Sequence, residues 1–202
     1  MNIKAIGFDY SGVMAHIPGR PWKEMTAEIF DAPLITIAQA YGKLNHLLNS
    51  GTMSPEDFWR MFATEIDRID KLPQFMKYVE TMADHVIDVE MTTLVDNLRA
   101  KGYKTGLLSN YDAAGAAAVR ASGIDQHFDL FIASADVGYS KPDPKLFELF
   151  AAKLGVELSE LAFTDDRSTS LSRATEAGYH PILFTGIENL KHDLEKLGVA
   201  VS

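Results

Sequence analysis

Four segments of the sequence bring a polar or charged residue to the end of a short apolar run or into the loop that follows one. Asp9 follows the apolar run at the start of the chain, and Ser109 ends the run KTGLLS. Lys141 stands in the connecting segment GYSKPDP, and the pair Asp165 and Asp166 follows LAFT. Because the carboxyl ends of parallel strands meet at one rim of a sheet, these side chains would converge if the runs are neighbouring strands.

Three carboxylates, one hydroxyl and one ammonium at a single rim would make a magnesium site with a phosphate beside it. Mg²⁺ takes oxygen ligands and commonly bridges carboxylates to substrate phosphate oxygens. The Ser109 hydroxyl and the Lys141 ammonium would hold the remaining phosphate oxygens and offset the charge that develops during transfer. Asp9, close to the metal, would attack phosphorus and form an aspartyl phosphate. Each residue alone is an ordinary turn, cap or loop residue, so this prediction rests on their joint order.

The elements that must position these residues read as strands that alternate with helices. The predicted strands after the first are residues 104–109, 129–133, 161–164 and 180–185. The predicted helices are residues 91–101, 144–154 and 168–177, each followed by glycine as a stop signal. This alternation predicts an α/β fold with a Rossmann-like parallel sheet and helices on both of its faces.

Residues 15–88 interrupt the alternation with helical runs rich in methionine and aromatic residues, and they contain no convincing strand. The motif SPED at 54–57 is typical of a capped helix start, for a helix of about residues 54–69. Leu72-Pro73 indicates a break. The predicted domains are therefore a Rossmann-like core of residues 1–14 and 89–202 and a small all-helical cap of residues 15–88.

The composition restricts the class of protein. The 202 residues are 47% hydrophobic, carry a formal net charge of −9 and include no cysteine. This charge disfavours binding to nucleic acid or to an anionic membrane, since no basic excess exists to displace counterions. No stretch approaches the ~20 apolar residues that cross a bilayer, and the N-terminus is unlike a signal peptide. We expect a cytoplasmic monomer or homodimer whose partner is a small phosphorylated metabolite.

The segments FDYSGVM, GLLSN, KPDPKLF and AFTDD resemble the four motifs of the haloacid dehalogenase-like (HAD) superfamily, in that order and across the whole chain. The helical insertion after the first motif is similar to the cap of the subclass that contains haloacid dehalogenases, phosphoglycolate-type phosphatases and sugar-phosphate phosphatases. The resemblance implies Asp9 as the nucleophile and Ser109 and Lys141 as phosphate-holding residues. It implies Asp165 and Asp166, together with Asp9, as the residues at the Mg²⁺.

The loop after the first strand and the residue after Ser109 supply further candidates. The resemblance implies that the backbone carbonyl of Ser11 ligates the metal, a role that does not depend on the side chain. We expect Ser11, Gly12 and Asn110 to contribute to phosphate binding. For Asn110, a role as a helix cap is an equally good reading of the sequence.

The first motif, Asp9-Tyr10-Ser11-Gly12-Val13, departs from the usual phosphatase pattern of the family. Those enzymes mostly carry a second aspartate where this chain has Ser11; it protonates the leaving oxygen and then activates the attacking water. An unassisted hydroxyl cannot do this at neutral pH, and general acid–base catalysis typically contributes ~10²–10⁴-fold. Some relatives, sugar-phosphate phosphatases among them, have a small residue at this position, so turnover remains compatible with the motif.

Several functions fit this departure. The first is a Mg²⁺-dependent phosphatase that relies on a good leaving group, or on an acid from the substrate or from nearby residues such as His16, Arg20 or Lys23. The second is a protein that binds Mg²⁺ and phosphate but turns over weakly or not at all. We favour the first.

Two other activities of the family are less well supported. A haloacid dehalogenase typically has tyrosine at the Ser11 position and needs no metal, whereas this chain keeps both Asp165 and Asp166. A phosphonate hydrolase would need a cap lysine that forms a Schiff base, for which Lys23 and Lys43 are the candidates.

Overall fold

The structure is a computed structural model that describes residues 2–16, 19, 21–49, 51–81 and 85–201. The chain divides into two compact units: unit 1 comprises Met1–His16 and Ile87–Ser202, and unit 2 comprises Ile17–Val86. The sequence prediction placed the helical insertion at residues 15–88, which is two residues longer at each end than unit 2. That unit 2 acts as a cap stays a prediction.

Unit 1 is built on a parallel sheet of five strands in the order β5-β4-β1-β6-β7. These strands are β1 (Ala5–Phe8), β4 (Lys104–Ser109), β5 (Leu130–Ala133), β6 (Leu161–Asp165) and β7 (His180–Leu183). The first strand lies in the centre, and its Phe8 is level with Leu107 of β4 and Thr164 of β6. The residues that follow on these three strands therefore lie at one rim.

Two short strands, β2 (Ala15–His16) and β3 (Val86–Ile87), form a second sheet where the chain leaves and re-enters unit 1. The sequence contained no convincing strand signal there, since two residues are too few to show alternation. Nearby, the Asp88 N–H donates to the Met14 carbonyl at 2.9 Å. This bond ties together the two segments of unit 1 that flank unit 2.

Helices cover both faces of the five-stranded sheet, as the alternation predicted. In unit 1 they are α5 (Val89–Ala100), α6 (Ala113–Ala121), α7 (Ser134–Val137), α8 (Pro144–Leu154), α9 (Ala174–Ala177) and α10 (Ile187–Lys196). One apolar core joins the sheet to α5, α6 and α10, and a second joins its other face to α8 and α9. All four residues of β1 are buried, as expected for a central strand covered on both sides.

Unit 2 is helical and has its own apolar core. Its helices are α1 (Trp22–Phe30), α2 (Leu34–Asn49), α3 (Pro55–Glu65) and α4 (Leu72–Thr81). Aromatic side chains fill the centre, including the fully buried Phe30, Phe58, Phe62 and Phe75. Among the described residues, none of the helices in either unit is both long and apolar enough to traverse a bilayer.

Several helix ends differ from the sequence prediction. The Ser54 cap is confirmed, since its hydroxyl accepts the Asp57 N–H at 3.1 Å, but α3 ends at Glu65 instead of residue 69. Just beyond that end, Asp67 takes a left-handed conformation with φ 55°. The predicted break at Leu72-Pro73 is the first turn of α4, and the predicted helix 168–177 is a 3₁₀ turn (Ser168–Leu171) followed by α9.

Candidate active site

Asp9 lies at the carboxyl end of β1 and is almost completely buried. Its N–H donates to the Thr164 carbonyl at 2.9 Å, which continues the pairing of β1 with β6 beyond the strand. Its Oδ1 accepts the N–H of Tyr10 at 2.8 Å. Its Oδ2 is buried and has no hydrogen-bond partner among the described residues. A buried carboxylate oxygen without a donor is costly, and a bound cation would satisfy it.

Lys141 brings a positive charge into the same place. Its side chain is fully buried, with Nζ 2.8 Å from Asp9 Oδ1 and 2.5 Å from Asp165 Oδ2. The ammonium also lies 5.2 Å from the centroid of the Phe163 ring. Because a buried ammonium is tolerated only when it is paired, the two carboxylates hold this lysine in one position.

Asp9, Asp165 and Asp166 form an acidic cluster. Each offers a carboxylate oxygen, and the three oxygens lie within 4.8 Å of one another. Asp165 is buried, whereas the side chain of Asp166 is 38% exposed and lies against the loop after β1. There Gly12 has φ +86°, and a Cβ on it would lie 2.6 Å from Asp166 Oδ2. Glycine is thus required both by the backbone and by the close approach of this carboxylate.

Burial and the mutual repulsion of the carboxylates raise pKa values in the cluster. Burial raises the pKa of the Asp9 carboxyl, an effect that the Lys141 ammonium offsets in part. Burial and the charges of Asp9 and Asp165 raise the pKa of Asp166 to about 6. Three carboxylates facing one ammonium are a donor set that fits a hard divalent cation such as Mg²⁺. The structure brings the side chains of Asp9, Lys141, Asp165 and Asp166 together at one rim, and their roles toward metal and phosphate stay predictions.

Ser109 and Ser11 lie near the same rim. Ser109 is the last residue of β4, the neighbour of β1, and is buried. Ser11 is half-buried in the turn after Asp9, where it forms a bridge with Ala15 and where the Gly12 N–H donates to the Ala15 carbonyl at 2.7 Å. Their predicted roles toward phosphate and metal stay predictions.

Asn110 makes contacts that the sequence did not reveal. Its Oδ1 accepts the N–H of Lys141 at 2.8 Å, and its Nδ2 donates to the Lys141 carbonyl at 3.0 Å. The helix cap that the sequence allowed for Asn110 is formed instead by Asp112, whose Oδ1 accepts the Gly115 N–H at 2.7 Å. The partners are 31 residues apart, so no local pattern could have indicated this pairing.

Arg167 is a site residue that sequence reasoning missed. Its side-chain Nε lies 3.9 Å from Asp166 Oδ1 and 4.0 Å from Asp165 Oδ1. Its backbone N–H donates to Asp165 Oδ1 at 2.9 Å. Its position directly after the acid pair in AFTDDR was the available signal. The guanidinium adds a second, half-exposed positive charge at the rim.

The alternative sources of a catalytic acid are spread over both units. His16 is exposed in β2, and Arg20 lies outside the described residues. Lys23 and Lys43 belong to unit 2, where Lys23 Nζ lies 5.7 Å from the Trp22 ring centroid and Lys43 Nζ pairs with Glu65 at 2.7 Å. The structure therefore assigns a salt-bridge partner to Lys43, one of the two candidates for a Schiff-base lysine.

Curated relatives share parts of the sequence. The chain is 31% identical over 123 residues to bifunctional epoxide hydrolase 2 of Sus scrofa, across 58% of this chain but only 22% of that protein. The chain thus spans about a fifth of the length of that relative. It is 25% identical over 190 residues to phosphatase MT3486 of Mycobacterium tuberculosis, across 91% of this chain and 88% of that protein.

Solved structures share the fold. An HAD family enzyme of Bacteroides thetaiotaomicron in a magnesium complex superposes with a TM-score of 0.72 at 20% identity, over 96% of this chain and 99% of that one. The same enzyme with magnesium and inorganic phosphate gives a TM-score of 0.65 at 19% identity, over 90% and 94% of the two chains. The model of the haloacid dehalogenase-like hydrolases matches residues 3–178, and the chain therefore belongs to this family of hydrolases.

Proposed function

We propose that this chain is a Mg²⁺-dependent phosphatase that hydrolyses a small phosphomonoester, such as a sugar phosphate, through an aspartyl phosphate on Asp9. The observation that carries the proposal is the acidic cluster around a buried ammonium. Three carboxylates within 4.8 Å of one another leave room for a divalent cation, while Lys141 holds Asp9 in place. Phosphoryl transfer needs these features: an oriented nucleophile and positive charge around the transferred group.

In this mechanism Asp9, Asp165, Asp166 and the Ser11 carbonyl would hold the metal, which when bound neutralises charge on the phosphoryl oxygens. Asp9 Oδ1 is held by Lys141 and by the Tyr10 N–H, and Oδ2 has no hydrogen-bond partner among the described residues, so Oδ2 is open to the cation. The Asp9 carboxylate attacks phosphorus, and the bond from phosphorus to the leaving oxygen breaks. Water then cleaves the aspartyl phosphate, releasing inorganic phosphate and restoring the carboxylate.

The Lys141 ammonium and the Ser109 hydroxyl hold the phosphoryl oxygens during both steps. Their preorganisation matters because charge moves onto these oxygens in a site shielded from bulk water. Ser11 supplies neither the proton for the leaving oxygen nor the base for water. The substrate should therefore have a good leaving group, such as an acyl or anomeric phosphate, or carry its own acid.

Two relatives support the phosphatase over other family activities. One is named a phosphatase and aligns with 91% of this chain, and one structural neighbour is a complex with magnesium and inorganic phosphate. A relative named (S)-2-haloacid dehalogenase 4A, from Burkholderia cepacia, matches only 89 residues, at 29% identity. The acid pair Asp165 and Asp166 also favours chemistry that uses a metal.

The test is a hydrolysis screen over a panel of phosphorylated metabolites, with and without Mg²⁺, using the wild type, D9N and S11D. We expect Mg²⁺-dependent release of phosphate that D9N abolishes. S11D should raise turnover of poor leaving groups by roughly 10²-fold, because it restores a general acid. N189D, a change at an exposed surface amide, is the matched control and should leave activity unchanged.

The second candidate function is a protein that binds Mg²⁺ and phosphate without useful turnover, and the observation that favours it is Ser11 itself. It predicts binding of Mg²⁺ and of a phosphoryl mimic such as vanadate with no hydrolysis of any panel member. Halide release from a 2-haloacid without metal would instead identify a dehalogenase.

A further inference from the structure

We propose that Asn110 is a positioning residue that fixes the backbone of Lys141, and through it the ammonium that meets the nucleophile. The inference rests on the proposed function for its catalytic consequence, but its geometric claim stands alone. It assigns to Asn110 a role distinct from the phosphate contact that the sequence predicted.

The side-chain amide of Asn110 uses both of its polar ends on one residue. Oδ1 accepts the Lys141 N–H at 2.8 Å, and Nδ2 donates to the Lys141 carbonyl at 3.0 Å. This pairing imitates the two bonds that a neighbouring strand would make with Lys141. Asn110 directly follows β4, so the loop carrying Lys141 is fastened to the rim of the sheet.

The side chain of Lys141 reaches from this fixed backbone into the acidic cluster. Lys141 Nζ lies 2.8 Å from Asp9 Oδ1 and 2.5 Å from Asp165 Oδ2, and the side chain is fully buried. A lysine side chain has four rotatable bonds, so a fixed ammonium needs a fixed backbone as well as fixed partners. Asn110 supplies the first of these requirements, and the two carboxylates supply the second.

Only an amide of this length satisfies both bonds. Aspartate would accept the Lys141 N–H but would face the Lys141 carbonyl with a second acceptor. Alanine would remove both bonds and leave the N–H and the carbonyl of the buried Lys141 without these partners. N110D therefore removes one bond, and N110A removes two.

The structural test compares crystal structures of the wild type, N110A, N110D and the surface control N189D. Asn189 is exposed and its Nδ2 donates to Thr185 Oγ1 at 2.9 Å, so N189D removes an amide donor away from the site. We expect N110A to shift the Lys141 backbone and to break at least one of the contacts of Nζ with Asp9 and Asp165. If both contacts persist unchanged in N110A, the inference is wrong, whatever the protein catalyses.

The kinetic test uses p-nitrophenyl phosphate with saturating Mg²⁺. Because misplacement by about 1 Å can cost roughly 10²-fold, N110A should lower kcat about 100-fold and N110D about 10-fold, with smaller changes in KM. In a K141M background, where no ammonium is left to position, N110A should cost less than about threefold. An equal loss in both backgrounds would indicate a general structural role and overturn the inference.

The two tests separate this inference from the proposed function. If the wild type hydrolyses nothing and N110A still displaces Lys141, the phosphatase proposal fails and the positioning role stands. If the wild type is active and N110A has normal kcat and an unmoved Lys141, the positioning role fails and the phosphatase proposal stands.

Discussion

At the scale of single residues, the site is defined by an imbalance of charge. Lys141 neutralises only part of the charge of Asp9, Asp165 and Asp166. Burial first, and then the charges of neighbouring carboxylates, raise the pKa values of Asp9 and Asp166. A divalent cation removes this cost, because each carboxylate then faces positive charge. Aspartate at the Ser11 position would add a further negative charge close to the cluster.

The first prediction concerns the pH dependence of Mg²⁺ binding. The pKa of Asp166 is raised to about 6, so below that pH the carboxyl is protonated and the metal must displace a proton. Above pH 7 the apparent affinity should be nearly constant, and below pH 6 it should fall by about tenfold for each pH unit. Calorimetric titration with MgCl₂ between pH 5 and 8 measures this. Constant affinity down to pH 5 would contradict it.

The second prediction concerns the stability of the metal-free chain. Because the pKa of Asp166 is higher when folded than its usual value near 3.8, its ionisation destabilises the fold as pH rises through about 6. At pH 7.5 without metal, D166N should therefore raise the free energy of unfolding by about 1 kcal/mol. That figure is reduced for solvent screening, since the side chain is 38% exposed.

Adding Mg²⁺ should reverse this order of stability. The wild type should gain stability with Mg²⁺, whereas D166N should gain much less, because it has lost a ligand. Urea denaturation of both proteins, once in EDTA and once in about 5 mM Mg²⁺, measures this difference in stability. D166N less stable than the wild type in EDTA would show that Asp166 is favourably paired without metal.

At the scale of elements, the close packing of α8 on the centre of the sheet requires glycine at position 7 of β1. A Cβ on Gly7 of β1 would lie 2.5 Å from Phe163 and 2.7 Å from Phe150, rings that pack over the strand from β6 and α8. Phe163 also lies beneath the Lys141 ammonium. The packing of α8 on the sheet is thus linked to the position of the site.

The third prediction tests this close packing. G7A should destabilise unit 1 by about 3 kcal/mol, because two buried rings must move. G42A is the control, since Gly42 lies within α2 and a Cβ there meets nothing within 4 Å. It should stabilise its helix by about 0.5–1 kcal/mol. Denaturation followed by circular dichroism measures both, and a G7A protein as stable as the wild type would contradict the packing argument.

The elements with strong local signals could be predicted from the sequence. Strand β4 and helix α8 were predicted with their observed ends, since Pro144 and Gly155 bound α8. The end of α3 could not be predicted from the sequence, because the residue beyond it in the left-handed conformation is Asp67 and not a glycine. The helix predicted at 168–177 is instead a 3₁₀ turn and the short helix α9, and both bury residues in the same apolar core.

The candidate site divides in the same way. Its acids could be predicted because each directly follows an apolar strand, and parallel strands bring their ends together. The pairing of Asn110 with the Lys141 backbone and the approach of Asp166 to Gly12 could not, since both depend on how distant loops meet. The sequence therefore indicated which charged side chains meet, but not the contacts that hold them in place.

At the scale of the whole molecule, the acidic cluster and the aromatic helical core belong to different units of the chain. Every carboxylate of the acidic cluster belongs to unit 1, and the aromatic core around Phe62 belongs to unit 2. Substrate choice is the property that we expect unit 2 to supply.

The fourth prediction follows from this separation. If Mg²⁺ binds the acidic cluster, it should stabilise unit 1 by about 2.7 kcal/mol at a metal concentration 100 times the Kd. Hydrogen exchange should therefore slow most in β1, β4 and β6 and much less in helices α1–α4, whose residues contribute no carboxylate to the cluster. D9N, which removes a ligand of the cluster, should weaken the effect in the strands. Slowing confined to unit 2, or slowing that D9N leaves intact, would place the metal elsewhere and remove the physical basis of the proposed phosphatase.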